Sequence, residues 1–372
     1  MLRRDPEGSD PGQEGRPLDS WQDNLFQRRR SMQHLKRIVV LGMVFGMVFV
    51  PVLARAGETL DAVKARGVLT VGVNGGLFGF GMPDEKGVWR GLDVDTARAV
   101  AAAVFGDPEK VKYVTLTTQT RFTALQSKEI DVLCRNATRT LTRETDLGLN
   151  FVATNYYDGQ GFLIPKKLGV KSARELSGAS VCVLPGTTTE QNVADYFRAS
   201  KMTMKPVVIE QNTELNQAFF GGRCDVLTSD ASQLAGIRAV APNPEDYAIL
   251  PEIISKEPLC PVVRHGDDQW RDIVDFCVLA MIAAEDMGID SKNVDEMLKS
   301  ADPNIQRFLG VTAGNGKALG LDEKWAYNIV KMVGNYGEVF ERNVGEKTKL
   351  GIKRGLNAQW KDGGLMYAPP FK

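Results

Sequence analysis

The stretch Val181-Cys182-Val183-Leu184-Pro185-Gly186-Thr187-Thr188-Thr189-Glu190 limits the possible folds more than any other. Its apolar start reads as a buried strand, Pro-Gly breaks it, and a threonine-rich helix start follows at once. A strand that feeds directly into a helix belongs to a βαβ unit, and so to a parallel sheet covered by helices. The turn also has chemistry. Gly186 permits the tight backbone, and the first N–H groups of a helix lack intrahelical partners, so a carboxylate would sit well on Thr187 and Thr188. An ordinary Thr-capped helix with nothing bound is the competing reading, and on this stretch alone the favoured one.

The same alternation runs from Gly67. A strand over 68–73 leads into the glycine-punctuated loop Asn74–Phe80, followed by an amphipathic helix over 93–105, a strand over 111–116, a short helix over 121–127 and a strand over 130–133. This βαβαβ order predicts an α/β fold with a mainly parallel sheet, in which ligands bind off the carboxyl ends of the strands. The loop after Leu133 is therefore where chemistry is expected. It contains Thr138, Arg139 and Arg143, and arginine suits bidentate capture of a carboxylate. For any one of these arginines, a solvated surface role is the default. In the first loop, which opens at Asn74, Phe78 and Phe80 either cover a ligand or pin the loop to the core.

A second set of elements follows the glycine-flanked crossing at 159–161. After the helix at 189–200 come a strand at 207–209, a helix from Thr213 stopped by Gly221-Gly222, a strand from Asp225 to Asp230 and a helix over 231–240. Asp230 thus falls at a strand end, facing the same crevice as the threonine turn, although a helix N-cap explains it equally well. A return crossing is expected at 258–263, then helices at 270–285, 293–299, 322–344 and 352–360 and a non-helical tail. The expected division is a leader at 1–56, a first lobe at 57–160, a second lobe at 161–257, and the first lobe's return with a C-terminal helical extension at 258–372.

The 372-residue chain is long enough for two domains, and its zero net charge implies no nucleic-acid partner. Lys36 and Arg37 precede an apolar run from Ile38 to Leu53 that ends at Ala54-Arg55-Ala56, the order of an export signal cleaved after Ala56. An uncleaved anchor is the alternative, although the run is short for a membrane span. Export to an oxidising compartment makes cysteine pairing possible. Neighbouring strands would bring Cys182 and Cys224 together, while Cys134, Cys260 and Cys277 read as buried apolar cysteines. With His265 the one histidine beyond the leader and no paired cysteine spacing, neither a metal nor a cofactor is expected.

Several stretches together resemble one family: Gly87–Asp95, Arg121–Gln126, Thr138-x-Thr140-x-x-Arg143, Gly186–Glu190, Asp225–Asp230, Glu252–Leu259 and Gly334–Glu338. In this order the chain resembles the periplasmic amino-acid-binding proteins of ABC importers, in the general L-amino-acid and glutamate/glutamine/aspartate/asparagine branch. The resemblance implies a type II clamshell with two hinge crossings. It implies that Arg143 grips a ligand carboxylate, helped by Thr138 and the region of Thr187 and Thr188. Asp230 would take the α-ammonium, and Phe80 with nearby loop residues such as Asn74 would cover the side chain. The implied partners are an L-amino acid and the inner-membrane permease subunits of an ABC transporter, with the protein itself a monomer and not an enzyme. Relatives usually carry an aromatic or apolar residue where Arg139 stands, which suggests that Arg139 biases the site toward acidic side chains. The same fold also occurs in periplasmic cyclohexadienyl dehydratases, whose general acid and base would have to be found in the crevice.

Overall fold

The computed structural model describes residues 57–372, so the leader and the cleavage expected after Ala56 lie outside the described residues. The chain begins with α1 (Glu58–Arg66), β1 (Leu69–Val73), the hairpin β2 (Met82–Pro83) and β3 (Trp89–Arg90), and α2 (Leu92–Phe105). It continues through β4 (Val111–Thr115), α3 (Arg121–Gln126), β5 (Val132–Thr138), α4 (Leu141–Thr145), β6 (Leu149–Phe151) and β7 (Tyr156–Asp158). The first sheet has the order β4-β1-β5, with β1 parallel to both neighbours. Every residue of β1 and β5 is buried, as expected for central strands covered on both faces.

A second sheet is built from β8 (Gln160–Pro165), β9 (Ser180–Val183), β10 (Lys205–Val208), β11 (Val226–Asp230) and β12 (Tyr247–Ile249), in the order β10-β9-β11-β8-β12. Its helices are α5 (Thr188–Ala199), α6 (Asn212–Phe220) and α7 (Ala231–Ala239). The chain leaves the first sheet after β7 and returns to it as β13 (Glu257–Arg264), which lies antiparallel to β5 and β6. Two connections therefore join two α/β lobes. Each sheet has its own pair of apolar clusters, one on either face.

The remaining helices pack on the first lobe: α8 (Asp268–Asp286), α9 (Val294–Met297), α10 (Pro303–Phe308), α11 (Asn315–Leu319), α12 (Trp325–Met332) and α13 (Tyr336–Asn343). The single helix expected over 322–344 is two. Gly334 at φ 100 breaks it, and Asn335 starts α13 with a reciprocal capping box to Glu338. The helix expected at 352–360 is replaced by two short 3-10 turns, Gly355–Asn357 and Trp360–Asp362, separated at Gln359, which is extended and bridges to Met366. The tail ends with Phe371 edge-on to Phe276 and Phe308. Among the described residues no helix is long and apolar enough to cross a membrane.

Cys182 in β9 and Cys224, just before β11, are joined by a disulfide with Cα atoms 5.7 Å apart. Cys134, Cys260 and Cys277 are free and buried. Reduction, or the double change Cys182→Ala/Cys224→Ala, is expected to lower stability by about 2–4 kcal/mol. An unfolding transition at the same temperature with and without reductant would show that the crosslink contributes nothing.

Candidate functional site

All the central parallel strands of both lobes end at one cleft, which is where open α/β sheets bind ligands. From the first lobe, β1 delivers Asn74, the loop after β4 delivers Thr118 and Arg121, and the end of β5 delivers Arg135, Asn136 and Thr138. From the second, β9 and the start of α5 deliver Leu184 and Thr187–Thr189, and β11 delivers Ser229 and Asp230. The lobes are drawn together. Asn212 Nδ2 on α6 donates to Asn74 Oδ1 at 2.7 Å across the gap, and about 20 Å³ remains for the centres of water-sized molecules. That space suits one or two waters, so a guest of amino-acid size enters only if the lobes part.

Arg143 stands immediately behind Thr138. Its side chain is anchored by an Nη1 bond to the Thr138 carbonyl at 2.8 Å, and its guanidinium lies over the Phe122 ring, 5.2 Å from the centroid. Burial pulls its pKa down, and the opposite charges of Glu257 and Asp230 pull it back up. Asp230 is buried at the end of β11. It occupies the N-cap position of α7 yet makes no capping bond there; its carboxylate accepts from Gln233 Nε2 at 3.2 Å. Burial first, then repulsion from Asp158 and Glu257, raises its carboxyl well above the ordinary range. Asp158, at the crossing, is pushed up to about 6, mainly by burial.

The threonine turn serves both readings made from sequence. Gly186 has φ 68, and Thr187 is the N-cap: its hydroxyl accepts from Glu190 N at 3.0 Å and donates to the Leu184 carbonyl at 2.8 Å. Thr188 instead turns inward and donates to Glu257 Oε2 at 2.8 Å. Glu257 is the hub that sequence reasoning missed. It opens β13 at the return crossing, is fully buried, and accepts from Thr138 at 2.6 Å in the first lobe and from Thr188 and Asn192 at 2.8 Å in the second. Because Thr138 and Thr188 give Glu257 their only hydroxyl protons, they present lone pairs to the cleft. In this arrangement they are acceptors for an ammonium.

Three expected residues do not line the cleft: Arg143 stands behind it at Thr138, and Phe80 and Arg139 lie elsewhere. Phe80 is completely buried, edge-on to Tyr156 at 5.2 Å within the first-lobe core, so it does not cover the cleft. The loop glycines turn it inward, and Gly91 at φ 130 lies against its carbonyl where no side chain fits. Arg139 is half exposed and pairs with Glu144 at 3.1 Å, because β5 alternates and puts Thr138 inward and Arg139 outward. Arg121 and Thr118 were also missed as cleft residues, whereas Arg135 and Asn136 open the stretch after Leu133 where chemistry was expected. The available signal was the hydroxyl-rich run Thr115–Thr120 at the carboxyl end of β4, the position where parallel sheets put ligand groups. His265 is exposed and does not line the cleft, and among the described residues no cluster could hold a metal ion. Guanidinium groups on one wall and the carboxylate of Asp230 on the other can bind a small dipolar guest.

The profile of the bacterial extracellular solute-binding proteins, family 3, matches residues 69–289. The glutamate/glutamine/aspartate/asparagine-binding protein BztA of Rhodobacter capsulatus is 56% identical over 88% of this chain and 98% of its own length. The general L-amino acid-binding periplasmic protein AapJ of Rhizobium johnstonii is 56% identical over 86% of this chain and 94% of its own. A solved ABC transporter/periplasmic binding protein from Brucella ovis, with glutathione bound, superposes with a TM-score of 0.83 at 55% identity, covering 85% of this chain and 99% of that one. On this combination of cleft, topology and matching sequence, the chain belongs to the bacterial extracellular solute-binding proteins of family 3.

Proposed function

We propose that the protein captures L-amino acids, acidic and amide ones included, by closure of its two lobes, and hands them to the permease subunits of an ABC transporter. The observation that carries this reading is a cleft that sets the buried guanidiniums of Arg121 and Arg135 on one lobe, with Arg143 directly behind Thr138, against the carboxylate of Asp230 on the other, the charge complement of an α-amino acid. The ligand carboxylate takes Arg143 and the free N–H groups at the start of α5, where the helix dipole also favours an anion. The ammonium takes Asp230 and the lone pairs of Thr138 and Thr188. Closure removes water from these pairs and strengthens them. The closed form is what the permease recognises, so binding shifts a hinge equilibrium and changes no bonds. The two connections at 158–160 and 250–256 act as the hinge between lobes at 57–160 with 258–372 and at 161–257.

In the cell this reading requires export, with cleavage after Ala56, and action as a periplasmic monomer. BztA and AapJ, more than half identical to this chain, are named as amino-acid-binding proteins, which supports the ligand class. The test is a thermal-shift screen of residues 57–372 against the twenty amino acids. Several acidic, amide and neutral amino acids are expected to raise the unfolding temperature, by an amount that grows with ligand concentration. If none does so at millimolar concentration, the reading is wrong.

A further inference from the structure

The family profile stops at residue 289, and the chain continues to residue 372. Part of that continuation reaches the first connection between the lobes. β7, from which the chain leaves the first lobe, is paired with β13 through Tyr156↔Leu259, Tyr157↔Pro258 and Asp158↔Glu257. Pro258, opposite Tyr157, has no N–H to give, and its carbonyl accepts from Arg139 N at 2.9 Å. Both backbone groups of Tyr157 go instead to one side chain. The Tyr157 N–H donates to Asn357 Oδ1 at 2.7 Å, and Asn357 Nδ2 donates back to the Tyr157 carbonyl at 3.0 Å. A carboxamide offers an acceptor and a donor side by side as a peptide edge does, so the buried Asn357 covers the outer edge of β7. Beside it the Tyr336 hydroxyl donates to the Asn155 carbonyl at 2.9 Å, and Phe340 stacks on Tyr156 with ring centroids 6.1 Å apart.

Asn357 is itself fixed to the body of the first lobe. Arg354 Nε donates to the Asn357 carbonyl at 2.9 Å, while Arg354 Nη1 and Nη2 hold both carboxylate oxygens of Glu285 on α8 at 2.9 and 3.0 Å. Its guanidinium lies 4.9 Å from the centroid of Phe340. The next residue of the connection belongs to the other lobe by its contacts: the Asp158 carboxylate accepts from Ser232 N and Oγ at the start of α7, two residues beyond Asp230. The anchorage therefore changes lobes between Tyr157 and Asp158. We propose that Asn357 is a positioning residue of the hinge, clamping the first-lobe end of the connection so that opening bends the chain only beyond Tyr157. Asp230 then returns to one place against the first-lobe wall at each closure. The inference rests on the reading of the protein as a hinged amino-acid binder. Without the clamp, bending spreads back into β7 and the open ensemble widens. A smaller fraction is then ready to close, and the apparent affinity falls by that fraction for every ligand alike, since Asn357 lines no part of the cleft.

The test compares the parent with Asn357→Leu, a near-isosteric change that removes both hydrogen bonds, and Tyr336→Phe, which removes only the bond to Asn155. Small-angle scattering gives the radius of gyration with and without saturating L-glutamine, hydrogen exchange follows the amides of residues 155–158, and calorimetry gives the affinities for L-glutamine and L-glutamate. Asn357→Leu is expected to enlarge the ligand-free protein, leave the saturated one unchanged and speed exchange at Tyr157. It should weaken both amino acids by the same factor, about fivefold. Tyr336→Phe should move each readout the same way by less, and it carries the test alone if Asn357→Leu does not fold. Ligand-free dimensions and exchange equal to the parent's, or a loss of affinity for one amino acid only, would overturn the proposal. A parent that binds neither amino acid would overturn the reading beneath it, while ligand-free scattering and exchange still decide the clamp.

Discussion

Arg143→Ala is expected to abolish measurable amino-acid binding, a loss of at least about 100-fold, while the protein still folds. The effect is large because the interaction is desolvated: the guanidinium is buried, braced on Phe122 and fixed to the Thr138 carbonyl. Removing one partner of such a pair leaves a ligand carboxylate buried without its counter-charge, a penalty of about 3–5 kcal/mol. Arg143→Lys should recover only part of the affinity, since an ammonium restores charge but not the planar fork. Calorimetry reports the binding and far-ultraviolet circular dichroism the fold. An alanine variant that binds glutamine within a few-fold of the parent would mean that the carboxylate sits elsewhere.

Asp230→Ala should be as damaging, and Asp230 also makes binding depend on pH. Before ligand arrives, burial and the neighbouring carboxylates hold its carboxyl well above the usual range, and Asp158 beside it titrates near 6. An arriving ammonium favours the ionised form, so binding below the raised pKa must first release a proton. Affinity is therefore expected to fall as pH drops below the raised pKa of Asp230, by up to about tenfold per pH unit for one linked proton, and to level off above it. For folding the sign is opposite. A carboxyl whose folded pKa is raised contributes stability that is present below its ordinary value of 3.8 and lost as pH rises through the raised one. Titrations between pH 5 and 8 that give a flat affinity would show that Asp230 does not change its proton on binding.

Much of this arrangement was legible because parallel sheets obey strict local rules. Strand–turn–helix alternation specifies which strand ends face a crevice, and Thr138, Thr187, Thr188, Asn74 and Asp230 all stand at such ends. What failed was orientation. Phe80 and Arg139 lie near the cleft in sequence, but loop glycines and strand alternation turn one into the core and the other into solvent. Glu257 was hidden for a different reason. It is 119 residues from Thr138 and 69 from Thr188 in sequence, and nothing local announces that a crossing will place one carboxylate between both hydroxyls. Arg121 looked like the ordinary first residue of a short helix, and what marks it out is burial with an Nε that has no partner among the described residues.

At the centre stands a single dipolar guest bridging a cation on one lobe and an anion on the other. The most direct check is a crystal structure of residues 57–372 grown with L-glutamine. The expected density has the α-carboxylate on Arg143 and the α-ammonium on Asp230, with the lobes closed over it. Glutamine bound outside this cleft, or held within it while touching only one of these two residues, would contradict the bridging.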